Sequence, residues 1–178
     1  RTAFGKKLVE QPLMQNVLAD LCVESEASTI TMMRLARAYD DAQTDDRWRQ
    51  FARLATAIVK YWICKRTPMQ VVEALECLGG GGWEDPRLDR EAPLNGIWEG
   101  SGNVMCLDVL RAIPRSPEGT EAFFDEVALA GGMDARFDHF LFRFRAVQHA
   151  VGVAERWHCA LGAEVGFEMI LNERERSG

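Results

Sequence analysis

Apolar residues return every three or four positions in this chain, over segments far longer than any ordinary strand. Leu13, Val17, Leu21, Met32, Leu35 and Tyr39 keep that spacing between Glu10 and Asp40, while Asp20, Glu24 and Glu26 take other faces. Alternation of period two is nearly absent, so the chain is confined to packed helices. Pro12 suits the first turn of this helix. The stretch from Ser25 to Thr31, rich in Ser and Thr, lowers helix propensity without requiring a break. Asp40 to Asp46 is a polar connection in which Asp45 is the N-cap. Trp48, Phe51, Leu54, Ala55, Ile58, Val59 and Trp62 make the buried stripe of a second helix, from about Asp46 to Arg66. Thr67-Pro68 then reads as a cap and first position, so a third piece, Pro68 to Leu78, restarts or bends the second.

Gly79-Gly80-Gly81-Gly82 follows, more glycine than one helix cap needs. The stretch from Gly80 to Gly100 carries Pro86 and Pro93 and little periodicity, and reads as a long loop of the kind that is usually functional. Ser101 caps a short helix with apolar Val104, Met105, Leu107, Val109 and Leu110. Ser116-Pro117-Glu118 opens another, with Phe123, Phe124, Val127 and Leu129, and Gly131-Gly132 closes it. A helical segment runs from Asp134 to about Arg174. Its broad face holds Phe137, Phe140, Leu141, Phe144, Val147, Val151, Leu161 and Val165. Gly152, Gly162 and Gly166 each mark a close crossing or a bend there. The sum is an all-α antiparallel bundle of five or six helices with one long glycine-bearing loop and no internal repeat.

At 178 residues the chain can bury a core of its own. No apolar run approaches the ~18 residues of a membrane span, and the first residues lack the apolar stretch of a signal peptide. Cys22, Cys64, Cys77, Cys106 and Cys159 form no close pair, which reads as reduced thiols in a cytoplasmic or similar compartment. No Cys or His pair falls at metal-ligand spacing, so no metal site is expected. A net charge of −6 excludes a surface that is basic throughout and leaves room for a local patch.

Such a patch has one candidate helix. Arg136, Arg143, Arg145 and Arg156 lie between Arg136 and His158, with His139, His149 and His158, against Asp138 and Glu155. On a helix Arg145, His149 and Arg156 share a flank able to meet phosphates, and Arg111 can add to it. The plainer alternative is a solvated helix face. Glu99 poses a similar choice. Set between Trp98 and Gly100, it reads as a base whose pKa an apolar wall can raise, or as a surface carboxylate favoured beside a helix start.

The motifs Arg1-Thr2-Ala3-Phe4-Gly5, Glu76-Cys77-Leu78-Gly79-Gly80 and Ile97-Trp98-Glu99-Gly100-Ser101, in that order and separation, resemble the C-terminal helical domain of acyl-CoA dehydrogenases. Met32-Met33-Arg34-Leu35-Ala36-Arg37-Ala38, Lys60-Tyr61-Trp62 and Trp98 to Arg111 resemble in particular the alkylation-response flavoprotein (AidB-like) branch. The resemblance implies a division into residues 1–113, the family's bundle, and 114–178, a helical extension that binds DNA in that branch. It implies FAD as cofactor, with Arg1 and Phe4 touching FAD, often that of a neighbouring subunit. Glu76 stands where the family usually has Gln and, with Gly79 and Gly80, approaches the adenosine part. Ser101 and Asn103 match positions at the flavin end. Glu99 matches the base that removes the α-proton of an acyl-CoA. Trp98 replaces the commoner Tyr and narrows the acyl pocket. The family's N-terminal helical and β domains do not precede Arg1, so the chain is expected to be the C-terminal portion of a longer protein and inert alone. The family assembles as tetramers through this kind of bundle. The implied partners are therefore further copies of the chain and duplex DNA, with a non-catalytic assembly domain as the alternative.

Overall fold

The computed structural model describes residues 2–79 and 87–150, with side chains as far as Arg145. Two strands, β1 (Thr2–Ala3) and β2 (Lys6–Lys7), pair antiparallel with Thr2 opposite Lys7 and Ala3 opposite Lys6. Two residues per strand leave no periodicity to read, which is why this hairpin escapes sequence analysis. Phe4 and Gly5 make its turn with φ of 54° and 77°, the doubly left-handed geometry that matches strand twist. The Gln11 side-chain amide donates to the Ala3 carbonyl at 3.1 Å and ties the hairpin to the chain ahead of the first helix.

Helix α1 is Pro12–Asp41, beginning on the proline that the sequence places there. Thr29 donates its hydroxyl to the Ser25 carbonyl at 2.8 Å, so part of the Ser/Thr stretch bonds back along the helix without breaking it. Asp45 accepts from the Arg47 N–H at 2.9 Å, and α2 starts at Asp46.

Helix α2 runs unbroken from Asp46 to Leu78 with Pro68 inside it. Of the restart or bend expected at Pro68, the restart does not occur. Proline withholds a single N–H, the one owed to the Cys64 carbonyl. Contacts on both sides of it hold the axis. Arg66 forks onto the Glu24 carboxylate of α1, with Nε to Oε2 at 2.8 Å, and Gln70 donates to Oε2 at 3.2 Å. Arg66 and Glu24 are each about three-quarters buried, and Arg66 also lies over the Trp62 ring. Glu24→Ala removes both holds at once and leaves a guanidinium without its anion. We expect a loss of about 1–3 kcal/mol, with faster amide exchange in residues 69–78. Exchange unchanged there would assign the continuity to other contacts.

The expected loop also needs correction. Arg87–Asn95 forms α3, helped by an Arg87–Glu91 pair one turn apart at 3.7 Å, with Pro93 in its last turn. Residues 80–86, including Pro86, lie outside those described. Helix α4 is Gly102–Arg115, α5 is Pro117–Ala128 and α6 is Ala135–Ala150. On α4 the buried face is Met105, Val109 and Ala112, while the apolar Val104 and Leu107 remain exposed. The expected continuation of α6 towards Arg174 falls outside the described residues.

The chain forms two compact units, Arg1–Arg37 with Val59–Ser101, and Ala38–Ile58 with Gly102–Gly178. In the second unit Phe51, Ala52, Leu54, Ala55 and Ala57 of α2 are buried, as are Met105, Val109, Ala112, Ala122 and Phe124. Rings pass from Trp48 to Phe51, Phe123, Phe124 and Phe144 at centroid spacings of 5.6, 6.2, 6.1 and 5.6 Å. Ser116 precedes α5 and spends its hydroxyl on the Gln50 side chain at 2.7 Å rather than on a cap. Gly119, one turn on, lies so near α2 that a Cβ there would stand 2.8 Å from the Gln50 carbonyl. In the first unit the buried apolar residue among those described is Ala92 of α3, and the rest are divided between half-covered and exposed.

Candidate functional site

Among the described residues, two that are not glycine have positive φ: Phe4 at 54° and Glu99 at 56°. An L-residue held there costs of order 1–3 kcal/mol, and such strain gathers where side chains must be aimed. A Phe in this region is a rarer outlier than the Asn usual in such hairpin turns. Its ring is fully exposed. The fold thus keeps an aromatic side chain in water on a strained turn that Asn-Gly would make without cost.

Glu99 is reached through the end of α3. Gly96 donates to the Pro93 carbonyl at 3.1 Å, and Ile97 and Trp98 donate to the Leu94 carbonyl at 2.9 and 3.1 Å. The chain then reverses at Glu99 and at Gly100, whose φ is 124°. Helices commonly close on a left-handed residue, but that residue is usually Gly or Asn. Here a glutamate takes the place, with Trp98 half-exposed before it and the Glu99 side chain exposed.

Lys60 of α2 holds this turn. Its Nζ donates to the Trp98 carbonyl and, at 3.0 Å, to the Gly100 carbonyl. The two acceptors flank Glu99, so one ammonium pins both ends of the strained residue. In the sequence Lys60 stands out only within Lys60-Tyr61-Trp62, as part of a resemblance. A lysine on an apolar stripe, 38 residues before the carbonyl it meets, gives no local sign of its task. Among the described residues nothing covers Glu99, whose side chain is exposed.

The other candidates are spread over several elements. Glu76 is exposed on the last turn of α2, and Gly79 ends that helix with φ of 67°. Ser101 is half-buried just before α4, and Asn103 is exposed on its first turn, in the second unit. Arg1 and Gly80 lie outside the described residues. Of the arginines proposed for phosphate, Arg111 and Arg143 are exposed. Arg136 turns back on Asp134, with a guanidinium nitrogen 2.8 Å from the carboxylate. Its side-chain and backbone N–H bonds hold that carboxyl well below the usual carboxylate range. Arg145 is half-buried, with its guanidinium 5.4 Å from the Phe124 ring centre. The His149 side chain and all of Arg156 are outside the described residues. Among those described, no three potential ligands gather for a metal, and no helix is long and apolar enough to cross a membrane.

Helices with a single short hairpin make up the described fold, and comparison places it in a class: the chain belongs to the acyl-CoA dehydrogenase family. The model for the acyl-CoA dehydrogenase C-terminal domain matches residues 1–113. The chain is 42% identical over 175 residues to the putative acyl-CoA dehydrogenase AidB of Escherichia coli (strain K12), which covers 96% of this chain and 31% of that protein. Acyl-CoA dehydrogenase family member 11 of Caenorhabditis elegans is 35% identical over 118 residues, 62% of this chain and 19% of that protein. Among solved structures, the apo form of Bd2924 matches with a TM-score of 0.76 and 26% identity, over 94% of this chain and 33% of that one. Caenorhabditis elegans ACDH-11 in complex with C11-CoA matches with a TM-score of 0.68 and 28% identity, over 100% of this chain and 29% of that one. The chain thus spans about a third or less of the length of these relatives.

Proposed function

We propose that this chain is the C-terminal portion of an FAD-dependent acyl-CoA dehydrogenase-like flavoprotein of the alkylation-response type, and that it supplies FAD contacts and the base Glu99. The observation that carries this reading is the pair of strained residues. Phe4 and Glu99 are the two non-glycine residues with positive φ among those described, and both fall on family motifs. The residues present suit the cofactor. An exposed aromatic ring at Phe4 offers a flat surface, and the exposed Glu76 carboxylate accepts from ribose hydroxyls. Gly79 lets a ligand approach the backbone without a Cβ in the way. Arg1 would add a guanidinium suited to pyrophosphate, and Ser101 and Asn103 would serve the flavin end. FAD, when bound, accepts a hydride.

The protein's own part is to take the proton. The Glu99 carboxylate removes the α-proton of an acyl-CoA and is left neutral, while Trp98 limits the acyl chain beside it. Of one relative it is known that it binds C11-CoA, which supports an acyl-CoA as the ligand class. We keep residues 1–113 as the family bundle and 114–178 as an extension, with assembly into a tetramer. The exposed Leu13, Val23 and Ile30 of α1 agree with assembly through helix faces.

Phe4→Gly tests the cofactor reading, because its two effects oppose each other. Glycine relieves the left-handed strain, so the apoprotein should unfold at a slightly higher temperature. Loss of the ring should weaken FAD retention about five- to tenfold in full-length protein after dialysis, in keeping with a contact of ~1 kcal/mol. Unchanged occupancy would remove Phe4 from the site.

The exposed Arg111 and Arg143 favour duplex binding as a second activity. Phosphate contacts read no bases, so affinity should be nearly independent of sequence and fall with salt. Arg111→Ala with Arg143→Ala should flatten the logarithmic salt dependence by about two units. Arg136→Ala should change it less, since Arg136 already holds Asp134. Equal slopes for all three proteins would leave α6 as a solvated face.

A further inference from the structure

We infer that Lys60 is a positioning residue, whose ammonium holds Glu99 in its left-handed conformation and thereby aims the carboxylate. This rests on the reading of Glu99 as the base. The geometry supplies the argument. A backbone bent through positive φ at a residue with a Cβ relaxes unless its neighbours fix it. The carbonyls on either side of Glu99 point to one donor, Lys60 Nζ. A primary ammonium has three donors on a tetrahedral centre, so it can serve two converging carbonyls and keep a third hydrogen for another acceptor. Bonds from a charged donor are about twice as strong as neutral ones. The anchoring end is firm too. Lys60 sits inside α2, eight residues ahead of Pro68, and Gly96, which begins the turn, lies against the Cys64 carbonyl one helical turn further on, where a Cβ would stand 3.7 Å away. Two points of α2 therefore meet the segment that carries Glu99. Among the described residues the Glu99 side chain makes no hydrogen bond to the turn, so its carboxylate stays exposed while Lys60 holds the backbone.

The test uses full-length, FAD-loaded protein and three variants: Lys60→Met, which keeps the stem and removes the donors, Lys60→Arg, which restores charge and N–H groups, and Glu99→Gly. Amide exchange over residues 97–101 should rise at least about tenfold in Lys60→Met, while exchange within α2 on either side of position 60 stays as in the wild type. Lys60→Arg should recover part of that protection. With an acyl-CoA substrate, Lys60→Met should lower kcat by about tenfold or more and leave KM within about twofold, because the substrate still binds and only the base is misplaced. Glu99→Gly, in which the turn has no strain to hold, should make exchange at 97–101 nearly insensitive to a further Lys60→Met change. Unchanged exchange at the turn in Lys60→Met overturns the inference, as does faster exchange with an unaltered kcat. If the wild type turns over no acyl-CoA and Trp98→Tyr does not restore turnover, the reading of Glu99 as a base falls, and the exchange measurements alone decide whether Lys60 sets the turn. Should Lys60→Met fail to fold, the comparison of Lys60→Arg with wild type decides by the same two measurements.

Discussion

Turnover of an acyl-CoA by full-length, FAD-loaded protein should fall by a factor of at least about a hundred in Glu99→Gln, with flavin content unchanged. Glutamine keeps the length and shape of the side chain and bears the same backbone strain, so the turn held by Lys60 is not disturbed. What is lost is the group proposed to accept the α-proton. Anaerobic bleaching of the flavin on mixing with acyl-CoA isolates that step from later ones. A Gln variant that bleaches at the wild-type rate would end the assignment. A wild type that bleaches almost not at all would point to Trp98, whose indole is larger than the ring of the commoner Tyr. Trp98→Tyr would then be expected to restore the reaction.

Gly119→Ala should lower stability. In a free helix this change is favourable by about 1 kcal/mol. Here the added carbon would stand 2.5 Å from the Ser116 Oγ and 2.8 Å from both the carbonyl carbon and oxygen of Gln50. The serine can rotate away, at the cost of its bond to Gln50, but the backbone of α2 cannot. We expect the protein to lose about 1–3 kcal/mol, the usual cost of overpacking, seen as a lower midpoint in denaturant with protection lost first in α5. Ser116→Ala added to Gly119→Ala should not restore it, because the clash with Gln50 remains. Full stability in Gly119→Ala would mean that α5 can withdraw from α2 without penalty.

Most helix starts are legible because their signals are local. Pro12, Asp45 and Ser116-Pro117 act within one turn of themselves, and the helices begin where they stand. Prolines inside helices are another matter. Pro68 presents the same local pattern whether it opens a helix or sits within one. The choice is made by Arg66 and Gln70 reaching Glu24, more than forty residues away. Pro93 misleads in the same way, since it made Arg87 to Asn95 look like loop. Val104 and Leu107 fit the helical period but not the buried face, which follows Met105, Val109 and Ala112. At the site, the motifs point to Phe4 and Glu99, but their left-handed conformations are hidden, because each is followed by a glycine that seems a sufficient cause of the turn. Lys60 is hidden for a further reason: it acts on carbonyls, and backbone acceptors leave no trace in side-chain spacing.

The way the two compact units are drawn from the chain bears on inheritance. Each is composed of two separate stretches, and the chain passes between them at Arg37–Ala38, Ile58–Val59 and Ser101–Gly102. The first two of these points lie inside α1 and α2. A genetic crossover at the third alone would transplant α4, α5 and α6 but leave Phe51, Ala52, Leu54 and Ala55 behind, and with them much of the core those helices need. Recombination can therefore move this region as a whole, but cannot shuffle either unit as a cassette. Changes confined to one unit must arise by point substitution, and those in α1 or α2 fall in helices that also build the other.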